Sequence, residues 1–162
     1  ALPSEAACLR ATTSEFVREM DYHRAYIIGP GTTTQLLFTH LGLTGTLMGV
    51  DVIQRGKLIC KDANEAELLS IVKNTPASIV LGVVGGQGFV LGRGNQQISA
   101  SVIEQVGTRN IVVIASVEKL IALRGHRILV DTGSSKLDSM LSGFTPIRTA
   151  PGNITMTKIE AV

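Results

Sequence analysis

An α/β fold, with a layered, mostly parallel sheet, flanking helices and a tail that is irregular or forms short strands, is predicted by three observations. Strand-length apolar runs such as residues 79–84 and 111–115 alternate with helical patterns, short turn signals separate them, and polar loops rich in glycine, threonine and amides follow the strands. With 162 residues, 44% apolar and 17% charged, the chain can bury one sizeable core and is expected to form a single domain over 1–162.

In chain order, residues 4–20 read as a helix with Leu9, Phe16, Val17 and Met20 turned inward. Residues 25–28 form a strand that Gly29-Pro30-Gly31 breaks. Thr32, Thr33 and Thr34 offer N-cap hydroxyls to a helix that runs to His40 and closes at Gly42. Residues 46–50 read as a second strand, and 57–60 as a third, reached through a turn at Gln54-Arg55-Gly56. Residues 64–74 are helical, with Glu65 and Glu67 suiting the positive end of the helix dipole and Pro76 marking the end. A strand over 78–84 enters the glycine-rich stretch. Beyond it, Ser101 and Glu104 have the spacing of a capping box for a short helix ending at Gly107. Strand 111–115, helix 117–123, strand 126–130 and helix 136–141 continue the cycle. After Gly143, the prolines Pro146 and Pro151 with Gly152 read as irregular chain or short edge strands.

Composition narrows the function. The apolar runs are far shorter than the roughly 20 residues of a membrane helix, so no membrane span is expected. Fifteen basic and 13 acidic residues are spread along the chain, aromatics are 4% and tryptophan is absent, which argues against nucleic acid as a partner. Cys8 and Cys60 lie in no CxxC or Cys/His spacing, so neither a zinc site nor a disulfide framework is supported and a reducing cytoplasm is expected. His23, His40 and His126 are too dispersed to suggest a metal site. No basic flank followed by an apolar core opens the chain, so no export signal is expected.

Three strand-to-turn junctions carry polar chemistry, and in a mostly parallel sheet they are expected to converge on one crevice. At the first, Gly29, Gly31, Thr32 and Thr33 set backbone N–H groups and hydroxyls at a helix start, which suits a phosphate, although the spacing is not that of a Walker A loop. A tight turn with an ordinary threonine cap is the plainer reading. At the second, five glycines fall within ten residues. Gly85, Gly86 and Gly88 remove side chains where a ligand approaches. Arg93, beside Gly94, offers a guanidinium fork, and Gln87, Asn95, Gln96 and Gln97 offer amides to a base edge. At the third, Asp131-Thr132-Gly133-Ser134-Ser135 is similar to the active-site segment of pepsin-like proteases. Such an enzyme needs two carboxylates sharing a proton, and a single copy in an α/β pattern reads instead as a capped strand-to-helix turn. Asp51, at a strand end, suits a ribose hydroxyl or a water-bridged Mg²⁺, or is a solvated turn carboxylate.

Taken together, Tyr26-Ile27-Ile28-Gly29-Pro30-Gly31-Thr32-Thr33-Thr34, Gly49-Val50-Asp51-Val52-Ile53, the glycine-rich stretch from Gly85-Gly86-Gln87-Gly88 through Gly92-Arg93-Gly94-Asn95-Gln96-Gln97, and Asp131-Thr132-Gly133 resemble the C-terminal part of the ATP-NAD kinase family. The branch it looks most like is that of predicted polyphosphate- or ATP-dependent NAD kinases related to the acetoin-catabolism protein X. The resemblance implies phosphoryl transfer from ATP or polyphosphate to NAD with Mg²⁺, and the residues named at the three junctions as nucleotide and phosphate contacts. It also implies the N-terminal half of the same protein as a partner; a homo-oligomer is left open by the sequence. One departure matters: the family's Gly-Gly-Asp-Gly-Thr segment is absent, and its nearest counterpart carries Gln87, which cannot serve as a carboxylate base. The chain is therefore expected to be the C-terminal half of a longer kinase and inactive alone, with its catalytic base unassigned. Ser134-Ser135 also stands where an acidic residue would be expected. Two other readings stay open: a non-catalytic sugar-phosphate or nucleotide-binding module, and a crevice used for subunit association.

Overall fold

A computed structural model describes residues 3–162. The elements in order are α1 (Pro3–Glu19), β1 (Ala25–Ile28), α2 (Thr32–Leu41), β2 (Asp51–Gln54), β3 (Lys57–Cys60), α3 (Glu65–Asn74), β4 (Ala77–Leu81), β5 (Phe89–Leu91), α4 (Ala100–Val106), β6 (Ile111–Val113), α5 (Val117–Ala122), β7 (Arg127–Val130), α6 (Ser135–Leu141), β8 (Gly143–Ala150) and β9 (Asn153–Ala161). The fold is mixed α/β, as the alternating pattern predicts, with the strands in two sheets ordered β3-β2-β1-β4-β6 and β5-β7-β9-β8. Pairing is parallel at β1–β4, β4–β6, β5–β7 and β7–β9, and antiparallel at β1–β2, β2–β3 and β8–β9.

The period-2 alternation of strand side chains gives the first sheet two buried faces. Tyr26, Ile28, Ile53 and Val80 meet Phe16 of α1 with Leu37 and Phe38 of α2 on one face. Ile27, Val52, Ile79 and Leu81 pack on the other with Leu68 and Val72 of α3, Val102 and Ile103 of α4, and Ile128, Val130 and Ile159 of the second sheet. Most helix starts carry a side-chain cap. Asn64 and Glu67 form a capping box on α3, and Ser99, Ser116 and Ser134 cap α4, α5 and α6. The cap of α4 is thus Ser99, not Ser101, because Ser101 already lies inside the helix.

Two regions depart from the sequence reading. Residues 46–50 are not a strand. Pairing with β1 begins only at Asp51, opposite Ile28, and the preceding chain is needed to cross the start of α2, where Leu47 accepts a hydrogen bond from Gly31 at 3.1 Å. The tail does form strands, but they are eight and nine residues long, and β9 lies inside the second sheet between β7 and β8. Its prolines do not prevent this: Pro151 stands in the turn, and Pro146 takes a β8 position that points its missing N–H away from β9. Arg127 and Lys158 both pair with Glu160, at 2.7 and 3.1 Å, tying β7 to β9. Truncating a side chain of the doubly buried sheet should be costly: Ile27→Ala is expected to lower stability by about 2–5 kcal/mol in urea unfolding, and the exposed Ile121→Ala by no more than about 0.5 kcal/mol.

Candidate functional site

Because β1 and β4 run parallel with Ile28 opposite Val80, the loops that leave them emerge side by side. Gly29 donates to the Val80 carbonyl at 2.9 Å, and a Cβ on Gly29 would stand 2.8 Å from Leu81 Cδ2, so a larger residue there would have to displace that side chain. Across the gap, a Cβ on Gly82 would lie 3.7 Å from Thr33 Cβ. The N-cap of α2 is Gly31, at φ 122°, with no side-chain hydrogen bond to the helix start. The threonines therefore do not cap the helix as expected. Thr34 is buried and its hydroxyl donates back to the Gly29 carbonyl at 2.6 Å, while Thr32 stays exposed and Thr33 half-buried at the first turn. An uncapped helix start leaves its first N–H groups and the positive end of the dipole available to an anion.

Asp51 has a different place from the one expected. It is 1% exposed, and its two carboxylate oxygens accept from the backbone N–H of Thr46 at 2.6 Å and of Asp62 at 2.8 Å. Both oxygens thus clamp the chain on either side of β2 and β3.

The glycine-rich stretch is not one loop. Gly85-Gly86-Gln87-Gly88 make a turn closed by reciprocal bonds between Val84 and Phe89 at 2.7 and 2.9 Å, β5 follows with all three residues buried, and a second loop begins at Gly92. Gly85, Gly86 and Gln87 are exposed. The Gly85 carbonyl accepts from Lys119 Nζ at 2.9 Å, so α5 brings a cation to this turn. Sequence reasoning missed Lys119, and the only local signal was a basic residue in the first turn after a strand. In the second loop Arg93 and Gly94 are exposed, and the Arg93 guanidinium lies 4.6 Å from the centre of the Phe89 ring. Asn95, expected to meet a ligand, is 1% exposed. Its carbonyl accepts from Gly92 N–H at 3.0 Å and its amide donates to the Val90 carbonyl at 3.0 Å, so it shapes the loop instead. Gln96 remains exposed.

The third junction is the capped turn that the pattern suggests. Ser134 caps α6, and Thr132 donates to Asp138 Oδ1 from its N–H at 2.9 Å and its hydroxyl at 2.6 Å, with Gly133 at φ 83° between them and Asp131 exposed. This turn abuts the loop after β5, since Asp131 donates to the Leu91 carbonyl at 3.1 Å and a Cβ on Gly92 would overlap the Asp131 carbonyl. Contacts join the junctions in two groups. Gly29, Gly31, Thr32 and Thr33 stand near the segment entering the 85–88 turn, at the edge of the first sheet, whereas Arg93, Gly94 and Gln96 stand with Asp131, Thr132 and Gly133 at the ends of β5 and β7.

Among the described residues no group of three or more His, Cys, Asp or Glu side chains is placed to hold a metal ion, and no helix is long and apolar enough to cross a membrane. Cys60 is half-buried. Desolvation first, and then the charge of Glu67, whose Oε2 lies 3.6 Å from its sulfur, push its thiol above the usual range.

An open-sheet α/β protein with glycine-lined loops at its strand ends is the class that fold and site define. The family model described as ATP-NAD kinase C-terminal domain matches residues 23–159, and the chain belongs to the ATP-NAD kinase family. None of the curated proteins and none of the solved structures compared with the chain matches it.

Asp51→Asn removes one of two acceptors and is expected to lower stability by about 1–3 kcal/mol in urea unfolding, the cost of a backbone N–H left unpaired. Cys60 is expected to react with iodoacetamide at pH 8 more slowly than free cysteine, because the thiolate is the reactive form, and a rate equal to that of free cysteine contradicts the assigned environment.

Proposed function

We propose that this chain supplies nucleotide- and phosphate-binding loops of an NAD kinase-like phosphotransferase, which transfers a phosphoryl group from ATP or polyphosphate to the ribose of NAD. The observation that carries the reading is the start of α2: a helix start capped by glycine alone, at the parallel β1–β4 edge, in a chain of this family. In phosphoryl transfer, catalysis comes mainly from positioning and from stabilising charge on the phosphoryl oxygens. The N–H groups of Thr32 and Thr33 with their hydroxyls suit those oxygens, and Lys119, held at the 85–88 turn, adds positive charge on the same sheet edge. The second cluster offers Arg93 for another phosphate, Gln96 for a polar edge and Asp131 for a hydroxyl.

Magnesium does not fit the described residues as a protein-held ion. Asp51 is committed to two backbone N–H groups and no acidic cluster stands beside the loops. No step of this reading passes through a metal ion held by this chain. The base for the ribose hydroxyl is assigned to the N-terminal half of the enzyme, since Gln87 has no basic oxygen at neutral pH.

The test is calorimetry of the chain with ATP, tripolyphosphate, NAD and a sugar phosphate, comparing wild type with Thr32→Glu. A glutamate at an exposed helix start suits the dipole, so the thermal midpoint should hold or rise, while affinity for ATP and tripolyphosphate should fall about 10-fold or more. Wild type that takes neither anion, or a variant that binds as wild type does, refutes the reading. Tight binding of the sugar phosphate with none of the nucleotide favours the module reading instead.

A further inference from the structure

Apolar side chains left in water mark a groove between α5 and the β8–β9 hairpin. Directly opposed residues of an antiparallel pair point to the same side, so the pairs Phe144↔Lys158 and Pro146↔Met156 put four side chains on one face of the hairpin. Phe144 is 72% exposed and Met156 54%. On α5, Val117 and Ile121 stand four residues apart and therefore share a face of the helix, and they are 40% and 64% exposed. A single exposed apolar side chain is ordinary, but Val117, Ile121, Phe144 and Met156 all line one groove of roughly 430 Å³.

The charge of this groove is one-sided. Among the described residues, the ionisable side chains that line it are His126, just after α5, and Lys158, beside Phe144, and no carboxylate does. Lys158 Nζ pairs with Glu160 at 3.1 Å, but Glu160 is not part of the groove wall and also holds Arg127 at 2.7 Å. The ammonium can therefore turn to another anion without leaving Glu160 unpaired. Size separates the two kinds of occupant that such a surface suits. The volume falls within the roughly 300–1,000 Å³ of small-molecule pockets, whereas a stable protein partner covers about 800 Å² on each side, more than four side chains on a short helix and a hairpin present.

We propose that this groove binds a single-chain fatty carboxylate, with the alkyl tail between Val117 and Ile121 on one side and Phe144 and Met156 on the other, and the carboxylate at Lys158. A tail of free rotors needs walls that adapt to it, and the unbranched, polarisable Met156 side chain does so. The ammonium supplies a charge-assisted hydrogen bond to the head. None of these residues belongs to the loops assigned to nucleotide and phosphate, so the inference goes beyond that reading and is tested apart from it.

Methyl-resolved NMR and calorimetry of the chain test it, with octanoate, nonanoate and decanoate below their micelle concentrations, decanol as the tail without charge, and acetate as the head alone. Saturable shifts of the Val117, Ile121 and Met156 methyls are expected with the three acids and not with acetate, and affinity should rise about 3- to 4-fold with each added methylene. Ile121→Gln should weaken decanoate about 5-fold or more while the thermal midpoint stays within about 2 °C, since the side chain is exposed in the free protein. Lys158→Gln should weaken decanoate about 5-fold or more and leave decanol at its wild-type affinity. Affinity that does not change with chain length, decanol held by the wild type as tightly as decanoate, equal binding of decanoate by Lys158→Gln, or methyl shifts confined to other surfaces such as Leu47 and Met48 would overturn the proposal. So would co-sedimentation with anionic phospholipid vesicles in a chain that takes none of the free acids.

Discussion

The parallel β1–β4 pair is the constraint on which the rest of the structure depends. Ile27 and Ile79 face one layer, Ile28 and Val80 the other, and each is wholly buried, so the pair is packed from both sides and its register is set by the fit to both layers. That fixed register places Gly29 against Leu81 and Gly82 opposite Thr33. The start of α2 is thereby held at the strand ends by the core, with no side chain of its own to cap it. Asp51 completes the support, since its carboxylate joins Thr46 on one side to Asp62 on the other.

The glycines between residues 85 and 94 have two distinct uses. Gly88 and Gly92 answer to neighbours: a Cβ on Gly88 would stand 2.7 Å from Leu123 Cδ2, and one on Gly92 would overlap Asp131. Gly85, Gly86 and Gly94 have open space around the position of a Cβ, and at Gly85 and Gly94 it is the left-handed backbone, φ 74° and 77°, that calls for glycine. A three-residue buried strand, β5, separates Gly85, Gly86 and Gly88 from Gly92 and Gly94, which is why a stretch that is continuous in sequence forms two loops.

The second sheet also shows how an edge is managed. Its β8 strand is bridged to the first sheet at Ile114 and Arg148, and Arg148 is further held by the Phe16 ring and by Glu19 of α1.

What the chain's own pattern determined is the local structure: the alternation of strands and helices, the break at Gly29-Pro30-Gly31, the close of α2 at Gly42, and the turn from β7 into α6. These follow from periodicity and from residues whose backbone preferences act within a few positions. Tertiary structure alone decided the rest. Thr34 turned from cap to tether because the Gly29 carbonyl lay within reach, and Asp51 and Asn95 became clamps because burial left them only backbone groups to bond. The tail after Gly143 became a long hairpin because β7, nearby in space but not in sequence, offered β9 an edge. The bonds of Thr34, Asp51 and Asn95 are short in sequence and were decided by burial, whereas the β7–β9 pairing joins distant segments and leaves no mark in the spacing of either one.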